Sequence, residues 1–198
     1  MRRTLLWVVL AGAGALATGG CRSPSSHLYA LTPVAASSPA APCACSVVVG
    51  PVTIPAMVDM PQMVVTTGPN QVTQDEFNRW AAPLAGNISR VVIADLAVEL
   101  GTPRVIGLQE ARQGHSEFQV TIAVQAFESV PGEAATLDAV WTVRREKDEH
   151  IDTGRSALRE PATDKGYEAL AAAHSRALAR LSADIAARIR ALAATGGS

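Results

Sequence analysis

Glu117-Phe-Gln-Val-Thr-Ile-Ala-Val-Gln-Ala-Phe127 alternates along its whole length. Phe118, Val120, Ile122, Val124 and Ala126 point one way, and Gln119, Thr121, Ala123 and Gln125 point the other. Period two marks a strand with one face in a core and the other in water. After Pro131-Gly132 the alternation returns from Ala135 to Arg144, through Leu137, Ala139, Trp141 and Val143. A charged run, Arg145-Glu-Lys-Asp-Glu149, reads as a solvated hairpin tip and leads to a further strand near Ile151 to Leu158. Connections this short join antiparallel neighbours, so the segment predicts a meander.

Toward the C-terminus the period changes. Asp164 is placed to cap a long helix whose apolar stripe runs Tyr167, Leu170, His174, Ala177, Leu178, Leu181, Ile185, Ile189 and Leu192. The other face carries Arg176, Arg180, Asp184 and Arg188 at helical spacing and reads as a solvated, salt-bridging face. A single histidine inside an apolar stripe, His174, is expected to be a hydrogen-bonded core residue. Toward the N-terminus, Leu84, Ile88, Val91, Val92, Asp95, Leu96 and Leu100 recur at three and four residues, and Gly101 followed by Pro103 stops that helix.

Arg104 to Leu108 reads as a short strand, as does Gln62 to Thr67. Gly68-Pro69-Asn70 then supplies turn chemistry. Gln71 to Trp80 is taken as the returning hairpin strand. Thr73-x-x-Glu76 has the form of a capping box, but Pro83 would interrupt a helix begun there. Trp80 reads as a buried aromatic locking the start of the helix against the sheet. Ser46 to Ile54 is continuous and β-branched, hence a buried strand, bent at Gly50-Pro51. The expected fold class is α+β: a largely antiparallel, mixed sheet with two helices, near 83–100 and 165–192, packed on one face.

Residues 22–44 are rich in Ser, Pro and Ala and read as a flexible tether, within which His27 to Pro33 alternates like a short docking strand. Cys43 and Cys45 lie too close in sequence for an easy disulfide and are expected to be small residues at the start of a strand. Ahead of the tether, Arg2 and Arg3 precede an uncharged run from Thr4 to Ala17, followed by Thr18-Gly19-Gly20 and then Cys21. This is a secretory signal, with an apolar part shorter than the roughly 20 residues that span a bilayer. A cysteine directly after the small pair is where bacterial lipoprotein processing alkylates the thiol and cleaves, although Thr18 stands where that consensus prefers Leu.

Cys21 is thus the expected lipidation site. Arg22, rather than the Asp that retains such proteins in the inner membrane, directs the product to the outer membrane, facing the periplasm. The domain plan is 1–20 signal peptide, 21–44 lipidated Cys and tether, and 45–194 folded domain. Removing the first twenty of 198 residues leaves 178, with 15 basic against 18 acidic residues and a net charge of −3. Such a balance excludes a nucleic-acid binder. No phosphate loop, metal-ligand spacing or nucleophile motif is present, so no catalytic, metal or cofactor site is assigned. Asp95, Glu99, Glu110 and Glu117 are scattered carboxylates that nothing in the spacing brings together.

Gly50-Pro-Val-Thr-Ile-Pro-Ala56, Met60-Pro-Gln62, Phe77-Asn-Arg-Trp-Ala-Ala-Pro-Leu84, Leu158-Arg-Glu-Pro161 and Gly166-Tyr-Glu-Ala-Leu170 through Leu178, taken in this order, resemble the ABC-type transport auxiliary lipoprotein family, PqiC (YmbA) group. The likeness runs from about His27 to Leu192. It implies an accessory subunit of an MCE-type intermembrane lipid transport system that supports envelope integrity. The implied partners are an MCE-domain protein of PqiB type, an inner-membrane transporter component and lipid. The resemblance and the uncharged polar face of Gln119, Thr121, Ala123 and Gln125 together predict homo-oligomerisation. Two readings of other classes stand beside it: an envelope scaffold binding cell wall or outer-membrane proteins, and an enzyme, which would require clustered carboxylates or histidines in a cleft.

Overall fold

The computed structural model describes residues 25–37, 40–111 and 116–195. The expected signal peptide and Cys21 lie outside them. Ten elements follow in chain order: β1 (His27–Tyr29), β2 (Val47–Thr53), β3 (Gln62–Gly68), β4 (Gln71–Trp80), α1 (Leu84–Leu100), β5 (Val105–Gly107), β6 (Phe118–Val130), β7 (Ala134–Arg145), β8 (His150–Pro161) and α2 (Tyr167–Thr195). The fold is α+β, as expected, with the strands divided into two sheets ordered β1-β4-β3 and β5-β2-β6-β7-β8.

The meander β6-β7-β8 is antiparallel over its full length, in the register Thr121↔Thr142↔Thr153. Its inward residues Val120, Ile122, Leu137, Ala139 and Val143 are at most 2% exposed. Each aliphatic side chain of that size contributes about 1.5–3 kcal/mol on burial. β2 lies between β5 and β6 and runs parallel to both, which suits its unbroken β-branched run Val47–Val49, buried on either side. The expected bend at Gly50-Pro51 is a cis peptide, and the β2–β6 register shifts between Val49 and Val52.

Both helices pack on the same face of the five-stranded sheet: α2 lies against the inward residues of β7 and β8, and Ile93 of α1 reaches the inward side of β5 at Gly107, the partner of buried Val49. α1 ends at Gly101, whose φ of 64° is the left-handed C-cap foreseen from the Gly-x-Pro signal. The smaller sheet closes the core at its other end. There Met63, Val65 and Trp80 are buried, with Trp80 edge-on to Phe127 at a centroid distance of 6.1 Å.

The expected tether is largely not free. From His27 the chain forms β1 alongside β4 and continues as an arm that buries Leu31 completely. It returns to the helices at Cys43, whose N–H donates to the carbonyl of Leu100 at 2.8 Å. The segment from His27 is therefore packed on the domain. Low apolar content predicted disorder, but side chains on α1 and α2 supply the partners that the arm cannot give itself. Cys43 and Cys45 are also corrected: they form a disulfide, with Cα atoms 5.2 Å apart.

Candidate functional site

Three of the buried polar residues, Asn87, Asp95 and Ser175, lie under the arm. Asp95, placed by helical period in the apolar stripe of α1, is fully buried, and its Oδ1 accepts the N–H groups of Val34 and Ala35 at 3.0 and 2.9 Å. Burial raises its pKa, and the two backbone donors oppose that rise. Ser175 on α2 accepts the Thr32 N–H at 3.1 Å. Arg90 donates to the Leu31 carbonyl and to Asn87 Oδ1. Arg190, near the end of α2, donates to the carbonyls of Ala41 and Glu99. The arm is thus a strap across both helices.

A second polar group ties β4 to the start of α2. Tyr167 donates to Asp75 Oδ2 at 2.9 Å, and Tyr29 donates to Asn78 Oδ1 at 2.8 Å. Burial and the Asp75 carboxylate push the Tyr167 phenol up to about 12. Burial acts against ionisation of Asp75, but the Phe77 N–H, the Tyr167 hydroxyl and Asn78 overcome it and hold the carboxyl below its usual range.

His174 is where the sequence placed it, fully buried on the stripe of α2. Its Nε2 lies 2.9 Å from Ser129 Oγ, and its ring stacks on Phe127 at 3.7 Å. Burial lowers its pKa to about 3, so the ring is neutral. Nδ1 meets no partner among the described residues. A nucleophile and base this deep reach no substrate, and the pair is structural. Asp95, Glu99, Glu110 and Glu117 do not converge. Glu110 accepts from the Gly107 N–H within one turn, and Glu117 accepts from the Ser46 N–H between the starts of β6 and β2. No group of three metal-ligating side chains occurs among the described residues.

The charged face of α2 does not pair along the helix as expected. It reaches across to β8: Arg176 and Arg180 both meet Glu160, Arg188 meets Asp152, and Asp184 accepts from Ser156. Long side chains at a helix–sheet boundary reach the strand more readily than the next helical turn. Trp141 completes this seam, donating through Nε1 to Ser156 at 3.0 Å while its ring covers Gly154.

The surface offers a shallow cleft of about 580 Å³ between β2, β5 and α1, lined by Gly50, Pro51, Ile93, Leu108 and Glu110. It also offers two uncovered sheet faces. On the larger sheet the rows Gln119–Arg144–Ile151, Thr121–Thr142–Thr153 and Ala123–Val140–Arg155 face away from the helices. On the smaller, Leu28 and Arg79 are partners in register, two positions from Phe77. No helix of the described residues is long and apolar enough to cross a membrane.

A small α+β domain emerges, strapped by its own N-terminal arm, with its internal polar groups engaged in joining elements and its open features on the outside. The chain belongs to the family described as the ABC-type transport auxiliary lipoprotein component, whose model matches residues 29–186. A crystal structure of an uncharacterized protein is similar at a TM-score of 0.69 and 18% identity, covering 84% of this chain and 99% of that one. A protein from Xanthomonas campestris assigned to family DUF330 is similar at 0.69 and 20% identity, covering 81% and 93%. At these identities the likeness shows the fold. No curated protein matches the chain.

Proposed function

We propose that the protein is a non-enzymatic accessory subunit of an MCE-type intermembrane lipid transport system. It is held at the periplasmic face of the outer membrane by lipid on Cys21, and it supports envelope integrity together with a PqiB-type protein and an inner-membrane transporter component. The family match across residues 29–186 carries this reading. The geometry supports it, because the molecule presents open surfaces rather than a cleft of converging chemistry. A monomer of this size cannot by itself enclose a path for an acyl chain, so the subunit acts as a homo-oligomer through the polar outer face of β6, β7 and β8.

The test is a detergent pull-down of the full-length protein from envelope membranes, with mass spectrometry of the captured proteins and of the Cys21 peptide. Capture of an MCE-domain protein together with an acylated Cys21 is the expected result. Unmodified Cys21 and no such partner would overturn the proposal. Sedimentation of the purified protein checks the oligomer, and a monomeric mass removes that part.

A further inference from the structure

We infer that the outer face of the three-stranded sheet, around Leu28 and Phe77, lies against the lipid bilayer in which the anchor sits; the inference rests on lipidation of Cys21. The docked arm limits the distance. From Cys21 to His27 is six residues, a reach of about 20 Å at full extension, whereas a free tether to Cys45 would reach roughly 80 Å. A domain of this size is roughly 40 Å across. A leash half that width cannot hold the far side of the molecule at the membrane. It holds the β1 side there.

That side is suited to the contact. Leu28 is 65% exposed, Phe77 45% and Val72 44%, which makes them three of the large apolar side chains the described fold leaves in solvent. In-register residues share a face, so Leu28, Arg79 and Gln62 form one outward row across β1, β4 and β3, and Val72 and Thr66 form another. Met63, Asp75 and Trp80 point the other way, into the molecule. Arg79 stands among the apolar residues where phosphate head groups would lie, while Glu76 beside Phe77 keeps the net charge of the patch near neutral. The contact is therefore driven by apolar insertion at the interface rather than by charge.

The experiment uses the full-length acylated protein in liposomes of phosphatidylethanolamine and phosphatidylglycerol with brominated acyl chains. A fluorophore is attached at Gln74→Cys on the outer face of the small sheet, or at Ala194→Cys, exposed at the far end of α2. Several-fold stronger quenching at 74 than at 194, retained in high salt and reduced by Leu28→Asp with Phe77→Asp, is expected. Equal quenching at the two positions, with Cys21 acylated by mass spectrometry, would overturn the surface and leave the anchor standing. A disulfide formed between the unlabelled Gln74→Cys residues of two molecules would show that a second copy covers the face, and would also overturn it. Unacylated Cys21 in envelope-derived protein would instead remove the anchor on which the argument depends.

Discussion

An imidazole kept neutral in an apolar interior makes stability depend on pH. The unfolded chain takes up a proton on His174 below the ordinary pKa of 6.5, whereas the native state resists it until about 3. Between those values the unfolded state binds more protons, so native stability falls as pH falls, by roughly 1.4 kcal/mol per pH unit for one group. Denaturant unfolding at pH 7 and pH 5 is expected to show this loss. His174→Gln should be less stable at pH 7 but flatter with pH, and a flat wild-type profile would contradict burial of a neutral ring. The position of His174 was legible because it falls on the apolar stripe of a helix. Its stacking on Phe127 was not, since the two are joined only by the packing of β6 on α2.

Helices, hairpins and the meander follow from periodicity, because each is set by residues close in sequence. What periodicity does not encode is which strands become neighbours: β2 inserts beside β6 in parallel across more than sixty intervening residues, and the strands divide into two sheets. The same limit hid the seam between β8 and α2. Gly154 reads as an ordinary strand glycine, yet a Cβ there would lie 2.2 Å from the Trp141 ring. Gly154→Ala should displace that indole, loosen its hydrogen bond to Ser156 and destabilise the protein by about 1–3 kcal/mol. Thermal unfolding followed by tryptophan fluorescence measures it, and an unchanged midpoint would show that the ring has room to move.

For the molecule as a whole, the decisive element is the arm, and its signal was present though unread. An acid in the apolar stripe of α1, Asp95, needs buried donors, and the arm supplies them from Val34 and Ala35. Composition argued for disorder because it weighs only what a segment can bury, not what the rest of the chain offers it. Asp95→Ala should leave those two backbone N–H groups without acceptors at a cost of about 1–3 kcal/mol. Hydrogen exchange at Val34 and Ala35 is then expected to accelerate while the amides of β6 and β7 stay protected. Unchanged exchange would mean that Leu31 alone holds the arm.

The strap also orders events in time. Thr32 bonds to a residue 143 positions later, and Ala41 to one 149 positions later. A chain that emerges from its N-terminus must wait for α2, the last of the described elements, before the arm can seat, since closures of that length come late in folding. Until α2 docks, the arm lacks Ser175 and Arg190, two of the groups that hold it. Closing of the strap and completion of the fold are thereby a single event, set by topology alone.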